Sequence, residues 1–187
     1  MENIVMTKQG FGRRWFGCLA MVAGLWGCAA SEGGVEGAER GSDAAVADRA
    51  EANAALVVSA YERVLNQRDT KALEAMFAED YIQHNPTVAD GREGLANYVA
   101  YLSTLPEATS VIKRVIAQGD LVVLHVHATE TAAQRGNEFA GLAIVDIFRV
   151  ANGKIVEHWD VIQPVPETSA SGRSMFDGGG LESGAAR

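Results

Sequence analysis

Asn152-Gly153 lies between two apolar runs, roughly Glu138–Val150 and Lys154–Gln163, and constrains the chain more than any other feature. Both residues accept positive φ, so the pair reads as a two-residue turn joining antiparallel strands. Such a turn also sets the register. Val150 then faces Ile155, Phe148 faces Glu157, Asp146 faces Trp159 and Ile144 faces Val161. Upstream, two further strands are predicted over Val111–Ala117 and Leu121–Thr129, joined at Gly119-Asp120. Before Ser110 the period is helical. Leu56, Val57, Ala60, Tyr61, Val64 and Leu65 share one helix face, and Asp69-Thr70 opens a second helix carrying Leu73, Met76 and Phe77. Asp90 with Glu93 makes a capping-box start for a third helix, whose buried face holds Leu95, Tyr98, Val99 and Leu102. Three helices followed by four antiparallel strands predict an α+β fold, with the helices packed on one face of a curved sheet.

Composition fits one folded domain with appendages: 187 residues, 48% hydrophobic and 21% charged. The net charge is −8 and no run of Lys or Arg exists, so no nucleic-acid surface is predicted. Cys18 and Cys28 both precede the domain, which excludes a disulfide framework or a cysteine zinc site within it. Lys8, Arg13 and Arg14 lead into an apolar run, Trp15–Gly27, shorter than the roughly 20 residues a membrane span needs. That pattern reads as a secretory signal. Leu25-Trp26-Gly27-Cys28-Ala29 resembles a bacterial lipoprotein signal, which implies export to the cell envelope and a lipid on Cys28 as the sole membrane attachment; the alternative is ordinary cleavage near Ala30. The expected organisation is a signal over 1–28, a flexible linker over 29–50, the domain over 51–166 and a flexible tail over 167–187. In that tail Met175-Phe176 is the apolar pair able to latch onto the domain.

The hairpin register puts Ile144, Asp146, Phe148, Glu157, Trp159 and Gln163 on one face, and Val145, Ile147, Arg149, Val156, His158 and Asp160 on the other. Asp146 between Val145 and Ile147 is the oddest residue of the domain. A carboxylate buried in a strand is costly unless it is paired or its raised pKa is used. The structural alternative is a partner such as Arg149 or Arg114. His84 follows the second helix, His125 and His127 share one strand face, and His158 stands in the last strand. A metal needs three or four convergent ligands, and no motif-like spacing supplies them, so no metal and no cofactor are predicted. The favoured constellation is Asp146 with His84, a carboxylate and an imidazole able to share acid and base roles in one apolar pocket.

Tyr81-Ile82-Gln83-His84-Asn85-Pro86, Asp90-Gly91, Asp146-Ile147-Phe148-Arg149 and the run from Gly153 to Pro164 resemble the SnoaL-like polyketide cyclases of the nuclear-transport-factor-2-like superfamily, closest to a bacterial aldol-condensation group. The resemblance covers about residues 51–166. It implies a cone-shaped barrel of mainly antiparallel sheet with three helices on its concave face. It also implies a cavity lined by His84, Asn85, Asp146, Glu157 and Trp159. Where a cyclase has an aspartate a few residues after Glu-x-Trp, this chain has Gln163, so Asp146 or Asp160 would take that role. The activity implied is proton abstraction next to a carbonyl, in an aldol-type, cyclising or isomerising reaction on a small apolar molecule. Asp146 would be the base, His84 the orienting group, and Gln163 or Asn85 the oxyanion donor. The alternative is a lipid-anchored ligand-binding module without catalysis, or a dimeric module that buries an Arg149–His158–Asp160 face. A homodimer is expected in each case.

Overall fold

The computed structural model describes residues 35–178; Cys28, the signal region and the end of the tail lie outside them. Helix α1 spans Val35–Ala60 and passes into a π-turn over Tyr61–Asn66. Short α2 (Lys71–Met76) leads directly into β1 (Phe77–Gln83), and α3 covers Gly91–Ser103. Strands β2 (Thr109–Gln118), β3 (Leu121–Thr129), β4 (Leu142–Ala151) and β5 (Lys154–Pro164) follow, with a 3₁₀ turn at Ala132–Gln134. The five strands form one sheet in the order β1-β5-β4-β3-β2. Every pairing is antiparallel except β1 with β5. The helices cover the inner face. Val57, Ala60, Tyr61 and Val64 of the predicted helix stripe are buried against Val122, Leu124, Val126, Phe148 and Ile155.

Three local expectations are corrected. Phe77 belongs to a strand rather than to the second helix, so the sheet gains an edge strand. The spacing of Phe77 and Tyr81 imitates a helix turn, and the two rings instead pack edge to face 5.2 Å apart. Asp90 starts α3 without making the predicted cap; its carboxylate accepts the backbone N–H of Gln83 at 2.7 Å and ties the helix start to β1. The turn into α3 can close this tightly because Gly94 bears no side chain: a Cβ there would stand 1.8 Å from the Ala89 carbonyl oxygen. Finally, α1 begins inside the stretch read as a linker. Residues 44–49 are exposed, so this part of the helix rests on the intrinsic propensity of an alanine-rich run rather than on packing.

The outer face of the sheet is partly covered by the tail. Phe176 is buried, stacked on His127 at 4.3 Å and on His125 at 5.4 Å between ring centroids. Arg114 donates to the carbonyl oxygens of Phe176, Asp177 and Gly178, and also to His125 Nδ1. Much of the rest of this face is apolar and open, with Ile116, Val145 and Val161 all exposed. Phe176→Leu keeps an apolar plug but loses both aromatic stacks. The expected cost is about 1–1.5 kcal/mol, read as a shift in the urea midpoint with unchanged slope.

Candidate active site

The β4–β5 hairpin starts as predicted and then departs from its register. Ala151 pairs with Lys154 and Val150 with Ile155, but Arg149 pairs with Glu157. Val156 is therefore an extra residue, a β-bulge, and a one-residue slip moves every later side chain of β5 to the opposite face. Phe148 faces His158, Asp146 faces Asp160 and Ile144 faces Ile162. The bulge thus turns His158 and Asp160 inward beside Asp146, and turns Glu157, Trp159 and Gln163 outward.

The inward group lines a cavity of about 630 Å³, counting the space at its mouth, beneath α1, the π-turn and α3. Asp146 is 4% exposed, and its Oδ1 is hydrogen-bonded to His158 Nε2 at 3.0 Å. Its Oδ2 is buried and makes no hydrogen bond of normal geometry among the described residues, although the Tyr61 hydroxyl stands near enough to the carboxyl to hold its pKa down slightly. Burial pushes the Asp146 carboxyl above the ordinary carboxylate range, against the opposing effect of His158 and with a further push from Asp160. Neither arginine considered as a partner neutralises it. Arg149 clamps Glu157 at 2.7 and 2.5 Å on the outer face, and Arg114 holds the tail.

The neighbouring strand fixes the imidazole. Gln83 pairs in register with His158 across the parallel β1–β5 ladder, and its Oε1 contacts His158 Nδ1 at 2.8 Å. The same oxygen accepts the Asn85 backbone N–H at 3.0 Å, while Gln83 Nε2 donates to the Tyr81 hydroxyl at 3.2 Å. A backbone N–H only donates, so the amide orientation is set and His158 carries a proton on Nδ1. The Nε2–Oδ1 contact then holds a single proton shared between imidazole and carboxylate. Asn85 is oriented in the same way. Its Oδ1 accepts from the Thr87 N–H at 2.7 Å, leaving Nδ2 to donate to Asp160 Oδ2 at 2.5 Å.

Three phenols complete the lining: Tyr61, Tyr81 and Tyr98. Burial first, and then the Asp146 carboxylate, raises all three above the ordinary tyrosine range, so they stay hydrogen-bond donors at neutral pH. The helical periodicity places Tyr61 and Tyr98 only as core. No pattern in the sequence marks them as polar groups of a cavity.

The predicted His84–Asp146 pair does not form. His84 is on the outer side, with its side chain 41% exposed, its Nε2 donating to Glu157 Oε1 at 2.9 Å and its ring stacked on Trp159 at 4.9 Å. Glu157 is held below its ordinary pKa by His84 and then Arg149. Glu157 and Trp159 therefore belong to an outer ion-pair and stacking cluster instead of the cavity. Gln163 is exposed and lies outside the cavity. The expected Arg149–His158–Asp160 face does not form either, since the bulge separates Arg149 from the other two. His125 and His127 hold the tail, His127 Nε2 also donating to the Ala140 carbonyl at 2.8 Å. Among the described residues, Asp146, His158 and Asp160 are the three ligating groups close enough for one cation, with atoms within 4.8 Å of one another. Among those residues, no helix is long and apolar enough to cross a membrane.

Residues 58–158, more than half of the chain, match the model of the SnoaL-like domain. Among solved structures, Bal32a from a soil-derived mobile gene cassette is similar with a TM-score of 0.51 at 22% identity, over 61% of this chain and 91% of that one. An NTF2-like protein of unknown function from Mesorhizobium loti gives 0.50 at 22% identity, over 62% and 93%. TsrD from Streptomyces laurentii gives 0.49 at 20% identity, over 60% and 89%. For Bal32a and the Mesorhizobium loti protein, likeness at these identities shows the fold alone. No curated protein sequence matches the chain.

Proposed function

The chain belongs to the SnoaL-like family, and we propose that it is an enzyme that removes a proton next to a carbonyl, with Asp146 as the base. The observation that carries this reading is Asp146 itself, a buried carboxylate on the wall of an apolar cavity, with one oxygen tied to His158 and the other making no hydrogen bond of normal geometry among the described residues. With the shared proton on His158 Nε2, Asp146 Oδ2 takes the proton from the carbon. The C–H electron pair becomes the C=C bond of an enolate, and the carbonyl oxygen takes up the negative charge. A phenol on the lining, buried Tyr61 or half-buried Tyr98, is the donor type such an oxyanion requires in a low-dielectric site. The raised pKa of Asp146 brings a carboxylate closer to the basicity that carbon acids demand. The enolate can then close a ring, add to a second carbonyl or take its proton back at another carbon.

Export and a lipid on Cys28 remain part of this proposal, resting on the N-terminal sequence alone.

Hydrogen–deuterium exchange tests the chemistry without knowledge of the natural substrate. Apolar ketones incubated with the protein in D2O are expected to gain deuterium at the carbon next to the carbonyl faster than in buffer, read by mass spectrometry. His84→Ala should leave that rate within about twofold, because His84 lies on the outer face. Ketones that bind without exchange would make the domain a binding module instead.

A further inference from the structure

We propose that the substrate is an elongated oxo acid, its carbonyl at Asp146 and its carboxylate paired with Arg68 in a second chamber. The carbonyl end of this inference rests on the function proposed above. The second chamber, about 620 Å³ counting its mouth, shares Tyr61, Leu65, Tyr98, Ile144 and Ile162 with the first. The two chambers therefore adjoin along a mostly apolar wall, a shape suited to a molecule longer than either. Arg68 and Glu130 are the charged residues on the second lining, and Glu130 is exposed.

Arg68 stands apart from the ion-paired basic groups of the domain, as do Arg114, Arg135 and Lys154, whose side chains donate to backbone carbonyl oxygens. Arg63 pairs with Asp69, Lys113 with Glu138 and Arg149 with Glu157. Acidic side chains outnumber basic ones by 24 to 16, yet Arg68 forms no ion pair among the described residues. Its one hydrogen bond there runs from Nη2 to the Ala108 carbonyl at 3.2 Å, and burial lowers its pKa. A half-buried guanidinium with spare donors on the wall of an apolar chamber recognises a carboxylate, through charge-assisted and often paired hydrogen bonds. A carboxylate on the ligand would supply the charge that the protein leaves out.

Calorimetry on the full chain with 9-oxodecanoate, its shorter and longer homologues and their methyl esters tests this. The best-fitting oxo acid is expected to bind about tenfold or more tightly than its ester. Arg68→Met should erase that preference while leaving ester affinity within about twofold, and Arg68→Lys should restore part of it. Equal affinity of acid and ester across the series, a preference that survives Arg68→Met, or failure of every oxo acid to bind would overturn the inference. The unmodified chain supplies the acid-to-ester ratio without any variant. Deuterium exchange on the same probes separates the two proposals. Arg68-dependent binding without exchange removes the base chemistry and keeps the anion site. Exchange with no acid preference does the reverse.

Discussion

Asp146→Asn is expected to lower turnover, or deuterium exchange, by about a thousandfold while leaving the fold intact. The amide has the shape of the carboxylate and can still meet His158 Nε2, but it cannot take a proton from carbon. The stability change should be small or favourable at neutral pH. The substitution removes a charge from a position only 4% exposed, where desolvation works against it, and retains a polar contact. Activity and stability thus move independently, and that separates a base from a merely structural buried acid. Exchange rates and a urea unfolding curve on the same sample measure both. An Asp146→Asn variant that exchanges normally would remove Asp146 from the mechanism.

The burial of Asp146 is legible because a carboxylate flanked by Val145 and Ile147 in a strand is a local anomaly that needs no tertiary knowledge. Its partner is not. The Asn152-Gly153 turn fixes only the first two pairs of its hairpin, Ala151 with Lys154 and Val150 with Ile155. One extra residue, Val156, then reverses the facing of His158, Asp160, Glu157 and Trp159 together. The bulge has no signature in the sequence: Val156 is as strand-like as its neighbours. Alternation alone therefore sends two cavity residues, His158 and Asp160, to the wrong side and three outer residues, Glu157, Trp159 and Gln163, to the cavity side. The missed strand β1 has a related cause. Its apolar residues at 77, 78, 81 and 82 imitate helical spacing, because an edge strand pairing on one side with a register shift need not alternate cleanly. Yet that strand supplies Gln83, which sets the His158 tautomer.

His158→Ala should be the most destabilising single change at the site, by about 3–5 kcal/mol at neutral pH, because it strips a buried carboxylate of its partner. The pH dependence gives the cause away. Asp146 already has a raised pKa in the folded protein from burial, and His158 opposes that rise. Without the imidazole the folded pKa climbs further while the unfolded value stays near about 3.9. A group whose folded pKa is raised binds more protons folded than unfolded. Its stabilising contribution is full below the unfolded pKa and is lost as pH rises through the folded one. The deficit of the His158→Ala variant should therefore be smaller near pH 4 and grow toward neutrality. What remains at low pH reports the cavity left by the ring, which has no charge dependence. Adding Asp146→Asn should remove the growing part and leave the constant part, so the double variant is more stable than His158→Ala at pH 7. Urea unfolding of the three variants across that pH range measures this. Additive losses with no pH slope would mean that Asp146 is not the buried charge that His158 exists to hold.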